Sequence, residues 1–157
     1  NIYTLIKYFA EYKKRNPERS NLKLVMIGGG EVTIPEESRD DIINMGFLDP
    51  QLKFDAYAGA ELLCQPSLHE SFSLVIMESW LCERPVLVHT GCEVTTDFAK
   101  RSNGGLYFQD YFQFEGCVNY ILDNQETAHR MGMNGRQFVL DNFKWDIITD
   151  KLMEAFQ

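Results

Sequence analysis

Glu70 and Glu78 are the residues of this sequence best placed to do chemistry. They bracket Ser71-Phe72-Ser73 and an apolar run, Leu74-Val75-Ile76-Met77, that continues past Glu78 through Trp80, Leu81 and Cys82. Apolar residues on every side of Leu74 to Cys82 predict a buried helix. Glu78 shares the stripe of Leu74, Val75, Leu81 and Cys82, where a carboxylate is costly unless it is paired or hydrogen-bonded. No lysine or arginine lies within the helix to pair with it. Two kinds of donor remain open: protein N–H groups in a structural role, or the hydroxyls of a ligand.

The start of the same helix carries its own chemistry. Residues Ser71 to Val75 would present the unpaired N–H groups of a helix N-terminus, whose dipole favours an anion by ~0.3–1 kcal/mol. Such an end is a ready phosphate cradle, and Glu70 sits just outside it. Ser67-x-x-Glu70 also fits a capping box, which would contribute only stability. Two carboxylates flanking an anion site suit a ligand with phosphates in the middle and hydroxyl-rich groups at both ends, as in a nucleotide-sugar. A second candidate is Gly28-Gly29-Gly30. It fails the dinucleotide fingerprint because Thr33 stands where the third glycine falls, and it fails the P-loop pattern because no Gly-Lys-Ser/Thr follows. It is either a plain turn or bare backbone that a ligand can approach.

The elements that must hold these groups alternate. Ile2, Leu5, Ile6, Phe9 and Tyr12 recur at helical spacing, up to Asn16-Pro17. Strands are predicted at 22–27, 42–48, 62–65, 85–89 and 105–108, and helices at 50–60 and 73–82, with a charged helical stretch opening at Pro35. Tyr111, Phe114, Val118, Ile121 and Leu122 mark one face of a further helix; residues 127–140 and 147–156 supply two more. Apolar strands separated by helical segments imply βαβ units and a parallel sheet covered on both faces. The expectation is one α/β domain over residues 1–157: a doubly wound Rossmann-like sheet with a helical C-terminal tail. A helix at Ile2 with no strand before it suggests that the first strand lies upstream.

Composition narrows the function classes. The chain has 157 residues, 45% hydrophobic and 13% aromatic, so it can bury a core. Fifteen basic against 23 acidic residues give a net charge of −8, which argues against nucleic acid as a partner. Cys64, Cys82, Cys92 and Cys117 form no CxxC pair and no zinc spacing, which points to a reducing, cytoplasmic compartment. No apolar run approaches the roughly 20 residues of a membrane helix.

Pro66-Ser67-x-x-Glu70-Ser-Phe-Ser-Leu-Val-x-x-Glu78-Ser79, followed by Arg84-Pro85-Val86-Leu87-Val88, resembles the E-x7-E region of the retaining GT-B glycosyltransferases of family 4, the group 1 transferases. The similarity runs outward in order. It takes in Leu24 to Gly30, Gly46-Phe47-Leu48 with Leu52 and 56–60, Gly91-x-Glu93-Val94, Asn103-Gly104-Gly105-Leu106, Met131-Gly132-x-Asn134-Gly135-Arg136 and Phe143-x-Trp145. The resemblance implies the C-terminal, donor-binding half of a GT-B fold lacking its first strand. A missing N-terminal domain of the same chain would hold the acceptor, a saccharide or a lipid-linked group.

Carried over residue by residue, Glu70 would lie at the transferred sugar, as nucleophile or as electrostatic support. Backbone N–H groups at Phe72, Ser73, Leu74 and Val75 would hold sugar and distal phosphate. Glu78 would accept from the ribose hydroxyls. Gly28 and the backbone of Phe47 and Leu48 would border the base, with Asp49 and Lys53 at the rim. The family needs no DxD metal motif and none occurs, so no metal and no resident cofactor is expected. Membrane docking, where it occurs, would use the missing domain. The family's usual Glu-Gly-Phe-Gly reads Glu70-Ser71-Phe72-Ser73 here, and the usual glycine before the Pro-Val strand is replaced by Glu83-Arg84. The family's phosphate-binding arginine and lysine would precede Asn1, so the part alone is expected to be inactive. Other readings are a non-catalytic nucleotide or sugar-phosphate module, a sugar epimerase, and a nicotinamide oxidoreductase, the last disfavoured by the failed fingerprint.

Overall fold

The computed structural model describes residues 1–156, in two compact units that divide between Ala56 and Tyr57. In the first, helix α1 (Ile2–Arg15) buries Leu5, Ile6, Phe9 and Tyr12, the stripe its spacing predicts. Asn16 closes it by donating its side-chain amide to the Tyr12 carbonyl at 3.0 Å, and Pro17 turns the chain away. Strand β1 (Leu24–Met26) pairs in parallel with β2 (Ile42–Asn44). Ile6 and Phe9 pack with Met26 and Ile42 into one apolar cluster. Lys13 fastens this unit: its Nζ donates to the carbonyls of Arg19, Ser20 and Leu22 and lies 3.1 Å from Asp41 Oδ1.

Helix α2 (Pro50–Gly59) leads into the second unit, where β3 (Leu63–Gln65), α3 (Leu74–Leu81), β4 (Val86–His89), α4 (Glu93–Ser102) and β5 (Gly105–Phe108) alternate. Helices α5 (Tyr111–Asp123), α6 (Gln125–Asn142) and α7 (Trp145–Ala155) follow. The three strands are parallel in the order β3-β4-β5. Central β4 has Val86, Leu87 and Val88 fully buried, as a strand covered on both faces requires. Ile76, Met77 and Trp80 of α3 pack with Val86, Val88, Ala99 and Val139 in the core. The Trp80 indole donates to the Gly104 carbonyl at 2.9 Å, so its one polar group is satisfied.

Helix α3 ends in a Schellman turn without glycine. Glu83 adopts φ 59°, its N–H bonding the Trp80 carbonyl, while the Arg84 N–H reaches back to Ser79. Helix α6 lies close over this turn: a Cβ at Gly132 would strike the Glu83 carbonyl, and one at Gly135 the Trp80 ring. That close approach explains the Gly132-x-x-Gly135 spacing noted in the sequence.

The α/β class and parallel pairing are as expected, with the strands in a two-stranded and a three-stranded sheet. Four local readings change. The charged stretch after Pro35 forms only a 3-10 turn at Glu36–Ser38. Strands β1 and β2 are three residues each, shorter than their apolar runs. Helix α4 went unread because Thr95, Thr96 and Ser102 occupy much of its buried face, which masks the apolar period. Helix α3 is not buried on every side: Ile76, Met77 and Trp80 face the core, whereas Leu74 is 68% and Leu81 42% exposed. Among the described residues no helix is long and apolar enough to cross a membrane.

Candidate functional site

The carboxyl ends of β3 and β4 open onto neighbouring loops, the place where open α/β sheets bind ligands. The loop after β3 carries Glu70, the loop after β4 carries Gly91 and Cys92, and Glu93 opens α4 directly after it. Together with Leu68, His69, Ser71 and Val94 these residues line an open cleft of about 530 Å³. Each loop is stapled by a polar side chain at the end of its strand. Gln65, the last residue of β3, donates to Glu70 Oε1 at 3.2 Å and lies 3.4 Å from Ser73 Oγ, so one amide spans both ends of the loop. His89, the last residue of β4, accepts the Gly91 N–H on Nδ1 at 2.9 Å while its ring meets Phe108 edge to face.

Beneath the loop Phe72 is an anchor. Its ring packs edge to face on Phe98 and Phe143, with centroids 5.6 and 5.0 Å away. The backbone on either side of Phe72 is therefore fixed by core packing. Ser73 follows at φ 69°, in the left-handed region, and forms the N-cap of α3. The first turn of α3, Leu74 onward, contains no acidic side chain, which leaves its dipole available to an anion. The helix thus begins at Leu74, one residue after the expected start at 73, so its free N–H groups start at Ser73 rather than Ser71, and Ser67 makes no capping box: its hydroxyl donates to the His69 carbonyl.

Glu78 stands one turn further on, half-buried, on the open side of α3 with Leu74 and Leu81 rather than among core residues. One partner is Tyr57 of α2, whose hydroxyl donates to Glu78 Oε2 at 3.1 Å. Burial first, and then the Glu78 charge and hydrogen bond, push the Tyr57 phenol well above its ordinary range. Burial likewise raises the nearby Cys82 thiol, with Arg84 opposing and Glu78 adding to the rise. Arg84 clamps the two helices, donating from Nη2 to the Ala58 carbonyl at 2.6 Å.

Of the residues singled out by sequence, Glu70, Phe72, Ser73, Leu74, Val75 and Glu78 thus lie along one loop and helix of the second unit. Gly28, Phe47, Leu48 and Lys53 belong to the first. There Gly28, at φ 137°, donates its N–H to the Gly46 carbonyl at 2.8 Å, and the Phe47 ring, 87% exposed, lies beside Gly29. Lys53 Nζ lies over the Phe54 ring, 5.4 Å from its centroid. Asp49 caps α2 by accepting from the N–H groups of Gln51 and Leu52. Sequence reasoning missed Gln65, His89 and Tyr57. A glutamine closing the apolar run Leu62-Leu63-Cys64, and a histidine closing Val86-Leu87-Val88, were the available signals; for Tyr57, 21 residues from its partner, there was none. Among the described residues no three His, Cys, Asp or Glu side chains gather as a metal site would need.

The family described as "Glycosyl transferases group 1" matches residues 1–138. A D-inositol 3-phosphate glycosyltransferase of Corynebacterium efficiens is 29% identical across 97% of this chain. The chain spans 38% of that relative's length. Among solved structures, S. aureus TarM in a complex containing UDP superposes with a TM-score of 0.84 at 17% identity, over 100% of this chain and 33% of that one. Anabaena HepE in complex with UDP-glucose gives 0.76 at 16% identity, over 98% of this chain and 44% of that one. At such identities these two likenesses establish the fold, which is that of the C-terminal part of a GT-B glycosyltransferase.

Proposed function

Because the chain belongs to the glycosyl transferases group 1 family, we propose that it is the donor-binding domain of a retaining glycosyltransferase, which moves a hexose from a nucleotide diphosphate-sugar to an acceptor hydroxyl in glycan or polysaccharide synthesis. The observation that carries this reading is the run from Glu70 to Glu78. Two carboxylates stand on either side of an acid-free helix N-terminus, and both are oriented by side-chain hydrogen bonds. The UDP-glucose named with one structure of similar fold, and the UDP named with others, support the choice of donor class.

In this proposal the N–H groups at Phe72, Ser73, Leu74 and Val75 hold the sugar and distal phosphate, and Glu78 accepts from the ribose hydroxyls. In the first unit, Gly28 and the Phe47-Leu48 backbone border the base, with Lys53 at the rim. As the bond from C1 to the phosphate oxygen breaks, its electron pair leaves with the nucleotide and the sugar becomes oxocarbenium-like. The acceptor oxygen then bonds C1 from the same face and gives its proton to the departing phosphate oxygen, which carries the electron pair of the broken bond. The Glu70 carboxylate stabilises the developing positive charge, an effect that grows toward the transition state and so raises kcat. The reaction is proposed to need no resident metal and to take place in the cytoplasm, where four free cysteines are at home.

Replacing Glu70 by glutamine in the whole protein tests the reading. Transfer is expected to fall by roughly 10²–10³-fold, in the range of a lost electrostatic stabiliser, while calorimetry shows donor binding within a few-fold of the parent. Unchanged transfer with intact binding would remove Glu70 from the mechanism, whereas a parent protein that binds the donor and transfers nothing would be a non-catalytic nucleotide-binding module.

A further inference from the structure

Glu78 is not placed by its own helix alone. It lies on the open side of α3, where a glutamate side chain has several rotamers available and would lose that freedom on meeting a diol. The Tyr57 hydroxyl reaches it from α2 and donates to Oε2 at 3.1 Å. Tyr57 is itself half-buried. Its helix is clamped to the end of α3 by Arg84, which donates to the carbonyl of the adjacent Ala58, and the Arg84 backbone closes the Schellman turn of α3 through its bond to Ser79. Tyrosine, turn and clamp therefore form one frame around the carboxylate. An ionised carboxylate accepts about four hydrogen bonds, so the bond to Tyr57 orients Glu78 without exhausting it.

We propose that Tyr57 is a positioning residue for nucleotide recognition: by holding Oε2 of Glu78 it presets the carboxylate to receive the two ribose hydroxyls of the donor. The inference rests on the donor-binding reading of Glu78 given above, and adds to it a residue that touches no ligand. A hydrogen bond to a charged group is stronger than one between neutral groups. Only the part that preorganises Glu78 is expressed in binding, so an effect of about tenfold, or 1.4 kcal/mol, is expected.

The test uses the whole protein and the tightest-binding of UDP, GDP and ADP as probe, each beside its 2′,3′-dideoxy counterpart. Calorimetry of the parent should show the ribose nucleotide preferred. Tyr57→Phe is expected to weaken the ribose nucleotide about tenfold and leave the dideoxy compound within twofold. A tyrosine that served only to hold the fold together would weaken both alike, and that result overturns the inference. The unchanged dideoxy affinity also reports that Tyr57→Phe is folded. Glu78→Gln, measured in parallel, should abolish the preference for ribose hydroxyls. If Glu78→Gln removes the preference and Tyr57→Phe does not, the positioning role fails while the donor site stands. If Glu78→Gln leaves the preference intact, or none of the three nucleotides binds, the donor-site reading fails and the inference with it.

Discussion

Residue by residue, the site is held by uncommon choices. Ser73 sits at φ 69°, a region that costs an L-residue about 1–2 kcal/mol, and its side-chain bond with Gln65 is a long one, 3.4 Å. Glycine, though more disordered when unfolded, adopts that backbone without penalty. Ser73→Gly should therefore stabilise the chain by up to about 1 kcal/mol, read as a higher urea midpoint at unchanged slope. Tyr57 gives a pH signature of its own. Its phenol is raised in the folded chain, so below the unfolded value of about 10 it is neutral in both states and no stability is lost. Above that pH the unfolded chain releases the proton more readily and the fold weakens as pH climbs. Tyr57→Phe should flatten the alkaline fall of stability between about pH 10 and 11, measured by urea titration. Glu70 and Glu78 were legible from spacing alone. The bonds that orient them were not, because a single sequence carries no sign of which distant side chain meets which.

The elements show why the positions of helices and strands were easier to read than their surroundings. Parallel strands in an α/β chain are runs of apolar residues, and β3, β4 and β5 were recovered within a residue or so. Helix α4 was invisible because its core-facing positions are filled by threonine, serine and alanine. The burial of α3 was overestimated for the converse reason: Leu74 and Leu81 are apolar yet open, and composition cannot tell an apolar face turned to the core from one turned outward. Packing of α6 on α3 rests on two missing side chains. Gly135→Ala would press a methyl group into the buried Trp80 ring. Overpacking of this kind costs ~1–3 kcal/mol, so differential scanning calorimetry should show Tm lowered by roughly 3–10 °C.

At the scale of the molecule, the chain carries a net charge of −8 and yet is proposed to bind a dianionic diphosphate. In that proposal the second unit offers the diphosphate backbone N–H groups and a helix end, beside the carboxylates of Glu70, Glu78 and the cleft-lining Glu93. Expressed by itself, the chain should bind UDP-, GDP- or ADP-sugars with Kd around or above ~1 mM, about −4 kcal/mol. Titration calorimetry checks this, and submicromolar affinity would show that the phosphate site is complete within these residues. The family match ends at residue 138, but the ring that supports Phe72, and through it the loop after Glu70, includes Phe143. Anyone trimming the gene to the matched region would keep every residue assigned to the donor and still remove the prop behind them. The shortened product would fail through a slack loop, and the fault would be misread as a wrong substrate.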